Sequence, residues 1–243
     1  MSITIPLLIA HRGHSVAARE NSAASWAAAI AAGAFAIEAD IRRTTDDELV
    51  VCHDADLSRI AGRPERVGDC ALRDLEGIQV AGEPAAPRLI DLLATVPPST
   101  RLVMDIKDER PDTLALIAQV VSARRADDVV FAGLRDINSI PVMRGLAGFR
   151  ILGLLPGPDS DADLQAVGGE VLRIWERHAT PERLGRLREA GRPAWVTVGG
   201  PETGREVGVH DANTLAAMGR AGAGGFLIDD PTAGRAILSA ALA

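Results

Sequence analysis

A (β/α)8 TIM barrel is the fold this sequence predicts, and three observations predict it. Short apolar runs alternate with longer helical stretches along the chain. The length, 243 residues, is close to the roughly 250 that one such barrel uses. Polar residues recur at the carboxyl ends of the apolar runs, the rim where barrels of this kind gather their chemistry. An open doubly wound sheet is the rival, but no Gly-rich nucleotide loop follows any strand. With no Pro-, Gly- or Ser-rich linker and no internal repeat, residues 1–243 read as a single domain.

The run Ile5–Ala10 is the first strand, and His11-Arg12-Gly13 follows it directly. An imidazole there can move a proton near neutral pH. The adjacent guanidinium can hold a phosphate or carboxylate through two hydrogen bonds, and Gly13 permits a tight turn. His14 reads as a loop residue. Arg19-Glu20-Asn21-Ser22 precedes an Ala-rich helix, Ser22–Ala32, with Trp26 and Ile30 one turn apart. Asn21 or Ser22 suits its N-cap, and Glu20 lies in a loop from which it could face the site.

Gly33 stops that helix, and Ala34–Ile41 is the second strand. Glu38 and Asp40, two apart, leave it on the same face. Two anions side by side repel unless something positive lies between them, and a divalent cation with oxygen ligands is one answer. Ion pairing to Arg42 or Arg43 is the other. The turn Thr44–Glu48 and the returning run Leu49–Cys52 bring His53-Asp54 back to the rim beside the pair. Two histidines flanking a bound phosphodiester could divide the proton transfers. One would take the proton of the attacking hydroxyl, and the other would supply a proton to the departing oxygen.

Helix Leu89–Thr95 leads to a third strand, Leu102–Ile106. Asp105 and Lys107 share a face there, adding a third carboxylate and a cation. Three acidic oxygens plus waters suit Mg²⁺ or Ca²⁺, and Lys107 can neutralise a phosphate oxygen. Beyond it, strands Val129–Phe131, Arg150–Leu154, Val171–Ile174, Ala194–Val198 and Gly225–Asp229 complete eight. Helices Pro111–Arg124, Ile137–Leu146, Ala162–Val167, Pro181–Glu189 and Ala212–Ala221 separate them, with Gly191 and Gly222 at helix stops. Glu176, Trp195, Thr197 and Asp229 fall near this half of the rim. Glu176 reads as a partner for a substrate hydroxyl or a solvated carboxylate, Trp195 as packing or a substrate contact, and Asp229 as a rim group or helix cap. His178 and His210 read as surface residues.

Bulk composition narrows the function. An apolar share of 47% and a charged share of 24% are ordinary for a soluble globular chain. The net charge of −7 argues against a broad nucleic-acid surface, although local cations and a metal can still hold an anionic substrate. Cys52 and Cys70 fit no metal spacing and read as free thiols in a reducing compartment. No leader-like segment and no apolar run of about 18 residues is present, so the expectation is a cytoplasmic protein without a membrane span.

Taken together, the motifs resemble the glycerophosphodiester phosphodiesterase family. His11-Arg12-Gly13, Glu20-Asn21-Ser22, Ile37-Glu38-Ala39-Asp40, His53-Asp54 with Leu57 and Arg59, and Asp105-Ile106-Lys107 carry the resemblance. Trp195-Val196-Thr197-Val198 and Gly225 to Pro231 look like its closing signatures, so it runs from about Leu7 to Pro231. Each motif alone is weak; the ordered set is specific. The resemblance implies a phosphodiesterase-type barrel that hydrolyses a small glycerophosphodiester to an alcohol and glycerol 3-phosphate. By analogy His11 and His53 are acid and base, and Glu38, Asp40 and Asp105 hold one divalent metal ion, Mg or Ca. Arg12 and Lys107 bind phosphate, with Glu20 and Trp195 as further substrate contacts. The oligomeric state is left open.

The chain also departs from the family pattern. Arg19 stands where the family has Pro, Asp105 where it has Glu, and Gly133-Leu134 where many members carry Ser-Phe. The closing Trp motif is stretched and followed by a polar loop from Pro201 to Glu206. Asp56 to Pro87 is short and holds no aromatic residue. A lysophospholipase D-like enzyme, a metal-binding barrel without turnover, and an aldolase-type lyase that tolerates His53→Ala are the alternatives.

Overall fold

The computed structural model describes residues 5–125, 127–154, 168–192 and 194–243. In chain order the strands are β1 (Leu7–Ala10), β2 (Ala36–Arg43), β3 (Leu49–Val51), β4 (Gln79–Val80), β5 (Glu83–Pro84), β6 (Arg101–Ile106), β7 (Val130–Leu134), β8 (Arg150–Gly153), β9 (Val171–Trp175), β10 (Ala194–Thr197) and β11 (Gly225–Ile228). β1, β2 and β6 to β11 run parallel, each paired to the next, and β11 pairs back to β1. The sheet is therefore a closed eight-stranded barrel, as the sequence predicts. β3 lies antiparallel on the outer end of β2.

The two-residue period of a strand divides each barrel strand between two cores. On β2, Ile37, Ala39 and Ile41 face outward into the layer shared with Trp26, Ala29, Leu114 and Ile117. Ala36 faces inward with Ile9, Val103, Phe131, Leu152 and Trp195. Glu38 and Asp40 follow on that same inward face, one and two steps nearer the rim. The lower barrel is closed by an aromatic plug, with the Phe131 and Trp195 centroids 5.0 Å apart and Phe35 edge-on to Trp195 at 6.0 Å. Above the plug the inward positions turn polar. That step from apolar to charged places the site.

Helix Ala23–Ala31 starts with Ser22, whose hydroxyl accepts the Ser25 N–H, while Ser25 Oγ accepts the Ser22 N–H. Such a cap contributes about 1 kcal/mol. Gly13, at φ +82°, lies so close that a Cβ would stand 2.4 Å from Ser25 Oγ. Only glycine fits this crossing, so the His11-Arg12-Gly13 turn is fixed against the helix.

Two parts of the fold differ from expectation. The last helix, Pro231–Leu242, is absent from the sequence reading. Asp230 caps it by accepting the Ala233 N–H at 2.9 Å. Gly234 looks like a breaker, but here it makes room: a Cβ would lie 2.8 Å from Ile228 Cδ1. Residues 56–87 fold as a small annex of helices Ser58–Ala61 and Leu72–Glu76 and the β4–β5 hairpin, with its own core around Leu57, Val67, Leu75 and Ile78. The expected helix Ala162–Val167 lies outside the described residues.

Candidate active site

The rim gathers nearly all of the residues singled out from the sequence. A cavity of about 210 Å³ is lined by His11, Arg12, Glu38, His53, Asp105 and Lys107 together with Arg135, Arg173 and Trp175. A second compartment adjoins it, sharing His11, Arg12 and His53, and adds Glu20, Asp54, Arg59 and Asp229. The histidines therefore stand between an inner and an outer space.

Glu38 and Asp40 are 3% and 1% exposed. The alternative partners, Arg42 and Arg43, turn elsewhere: Arg42 donates to the His53 carbonyl, and Arg43 pairs with Asp47 and Asp112. Glu38 accepts the Arg12 backbone N–H at 2.8 Å. Asp40 is bracketed by Lys107 Nζ at 2.7 Å, Arg12 Nε at 3.3 Å and Asn21 Nδ2 at 2.9 Å. Lys107 also donates to Asp105 at 2.6 Å. Arg12 and Asn21 sit at φ +57° and +51°, sparsely populated backbone that persists where the surroundings over-determine it.

The carboxylates feel opposite forces. Burial, then the Asp40 charge, pushes the Glu38 carboxyl up to about 7. Burial also acts on Asp40, but Lys107 and then Arg12 outweigh it and hold that carboxyl well below its usual range. Glu38, Asp40 and Asp105 each offer an oxygen within 4.8 Å of the others. Three hard oxygen donors in one buried cluster fit a divalent cation. Mutual repulsion at Glu38 is the strain such an ion would relieve.

Each histidine is oriented by a carboxylate. His11 is 8% exposed, and its Nδ1 lies 2.7 Å from Asp229 Oδ1. His53 Nδ1 lies 2.8 Å from Asp54 Oδ1. With Nδ1 engaged in both rings, Nε2 is the nitrogen left for proton transfer. Burial depresses the His11 pKa, yet the Asp229 hydrogen bond and then the Glu38 charge raise it overall. For His53 burial prevails, and its pKa is lowered. Arg59 bridges Glu20 and Asp54, and Glu20, which also accepts from Arg12, stands in the outer compartment.

One assignment is corrected. Trp195, expected near substrate, is 1% exposed, lines neither compartment and belongs to the aromatic plug. Its position on β10 points inward one layer too deep; Thr197, two residues on, reaches the cavity instead. Glu176 accepts the Gly199 N–H at 2.8 Å and pairs with Arg205, fastening the polar loop after β10. Arg135 and Arg173 were not among the predicted site residues, and Asp229 was read only as a rim group or helix cap. Barrel closure sets β11 beside β1, so Asp229 falls opposite His11; that adjacency was the available signal. Arg135 pairs with Asp105 at 2.6 Å, a long-range contact that no local pattern announces.

An inward-facing barrel rim thus brings together a carboxylate cluster, two oriented histidines and several cations. A sequence profile of the glycerophosphoryl diester phosphodiesterase family matches residues 11–130, just under half of the chain. A glycerophosphodiester phosphodiesterase of Arabidopsis thaliana is 32% identical over 111 residues, covering 42% of this chain and 34% of that protein. One from Caldanaerobacter subterraneus subsp. tengcongensis is 39% identical over 70 residues, 29% of each. The chain thus spans about a third of the length of the curated relatives it matches. Solved structures agree over nearly the whole fold. A Thermotoga maritima glycerophosphodiester phosphodiesterase has a TM-score of 0.77 at 18% identity, covering 94% of this chain and 96% of that one. An Oleispira antarctica phosphodiesterase, in complex with the product sn-glycerol-3-phosphate, has a TM-score of 0.82 at 18% identity, with 97% of each chain covered. Among the described residues, no helix is long and apolar enough to cross a membrane.

Proposed function

We propose that this chain, acting as one barrel domain, hydrolyses glycerophosphodiesters to an alcohol and glycerol 3-phosphate with the help of one divalent metal ion. The observation that carries this reading is the meeting of His11, His53, Glu38, Asp105 and Lys107 in one cavity, with Asp40 completing the carboxylate cluster. The family match and the relatives' activity support it.

Glu38, Asp40 and Asp105 would hold the ion, Mg²⁺ or Ca²⁺ by their oxygen chemistry. Such an ion supplies Lewis-acid polarisation of the phosphoryl oxygens. Lys107 and Arg12 place positive charge beside the same oxygens. His53, whose pKa is lowered, is the neutral base that takes the proton of the attacking hydroxyl. His11, whose pKa is raised, keeps its proton for the leaving alkoxide. The attacking hydroxyl is that of water or a neighbouring hydroxyl of the substrate. Asp229 and Asp54 hold the two rings so that Nε2 does the work.

The test is hydrolysis of glycerophosphocholine and related diesters by chelated protein, followed by addition of Mg²⁺, Ca²⁺ or Mn²⁺. Glycerol 3-phosphate should form only once metal is restored. Equal rates with and without chelator would remove the metal from the proposal, and no release with any metal would remove the activity.

A further inference from the structure

Arg173 is a cation of this site that the catalytic reading leaves unused. It leaves β9 on the inward face, in register with Trp195 of the plug, and lines the floor of the inner cavity. It is 7% exposed. Its guanidinium lies over the Trp175 ring, 4.3 Å from the centroid, which fixes the head without satisfying its donors. Nη1 is buried and has no hydrogen-bond partner among the described residues. A buried charged donor left unmatched is costly, so a guanidinium held this way calls for a partner.

The other cations of the cavity are already engaged. Arg12 is shared by Glu20 and Asp40, Lys107 by Asp40 and Asp105, and Arg135 belongs to Asp105. A ligand oxygen would have to compete for those three, whereas the Nη1 of Arg173 is open. Trp175 is held in turn by the loop beyond β10: a Cβ on Gly200 would stand 3.2 Å from its Cζ3. The Arg173–Trp175 pair is therefore a preformed unit rather than a mobile side chain.

We propose that Arg173 is a substrate-binding residue that receives a negatively charged oxygen of the ligand in the inner compartment. This rests on the phosphodiesterase reading and deepens it by naming what recognises the anion. Two sources offer that chemistry: the phosphate at the carboxylate cluster, or a second anionic group on the glyceryl half that enters the inner cavity. Either would place an oxygen against a planar donor that matches it through paired N–H groups.

Binding, which needs no turnover, separates the possibilities. Mg²⁺-equilibrated protein is titrated by calorimetry with glycerol 3-phosphate and with 3-phosphoglycerate, which adds a carboxylate. Arg173→Met keeps an apolar stem over Trp175 and is expected to weaken binding by about 10- to 100-fold, the scale of one charged hydrogen-bonded contact. Equal weakening of both ligands assigns the phosphate to Arg173. Weakening confined to 3-phosphoglycerate assigns a second anion. Unchanged affinity for both overturns the proposal. If Arg173→Met does not fold, Arg173→Lys carries the test: it retains charge but not the fork and should bind more weakly than the wild type, and wild-type affinity there overturns the proposal equally. Absence of hydrolysis with this binding pattern intact would strike the phosphodiesterase reading and leave the anion contact standing.

Discussion

The two arcs of the barrel rim differ in how they use charge. Across β1, β2 and β6, the two cavity cations have acidic partners within hydrogen-bond reach: Arg12 with Glu20 and Asp40, Lys107 with Asp40 and Asp105. Across β8 to β10 the inner cavity wall is mostly apolar, built from Leu152, Leu154 and Trp175 with Thr197 beside them and Arg173 set into it. The first arc is a pre-organised electrostatic device, in which fixed neighbours pull the Glu38 and Asp40 carboxyls in opposite directions. The second is a shaped surface with one open donor. On the proposed reading, the difference separates bond chemistry from recognition. The family match, which ends at residue 130, covers the first arc and stops before the second.

The largest effects should fall on the first arc. His11→Ala and His53→Ala are each expected to lower turnover by roughly 10²- to 10⁴-fold, with the far-ultraviolet circular dichroism unchanged. Near-normal turnover by either variant would break the division, because acid–base chemistry would then lie elsewhere. The floor beneath both arcs answers to a different measurement. Trp195→Ala removes a fully buried ring from the contact with Phe131 and Phe35 and should cost about 3–5 kcal/mol in denaturant unfolding. Trp175→Leu, half-buried at the rim, should cost less. If the two tryptophan variants lose equal stability, the plug and the rim are not distinct layers.

The same division explains what could be read from the chain. Glu38, Asp40, Asp105 and Lys107 were legible because strand alternation alone places side chains two apart on one face, and a closed barrel points that face at the rim. His11 and His53 were legible as polar residues directly following apolar runs. Trp195 was misplaced by one layer, since alternation gives the face of a strand but not the depth at which the apolar plug ends. Arg173 and Arg135 were missed because what matters about them is partnership: one has Asp105 from another strand, and the other has a stacked ring and an open donor. The last helix was not predicted, and the close approach of its Gly234 to Ile228 exists only in three dimensions.

Asp229 joins the two arcs, and it gives the last test, which moves one limb of a pH profile. It belongs to the end of β11, but it reaches His11 of the first arc at 2.7 Å. Gly208 keeps the space open, since a Cβ there would lie 2.0 Å from Asp229 Oδ1. Burial and the nearby Arg12 both lower the His11 pKa; the Asp229 bond and the Glu38 charge raise it past its ordinary value. Asp229→Asn removes the negative charge while keeping an oxygen that can accept from Nδ1. The lowering influences then gain, so His11 loses its proton at lower pH. On the proposed roles His11 is the acid and governs the descending limb, so that limb should move to lower pH in the rate profile. The ascending limb belongs to His53, whose partner is Asp54, and it should stay in place. Movement of the ascending limb instead would exchange the roles of the two histidines. A profile unmoved on both sides would show that Asp229 only braces the ring.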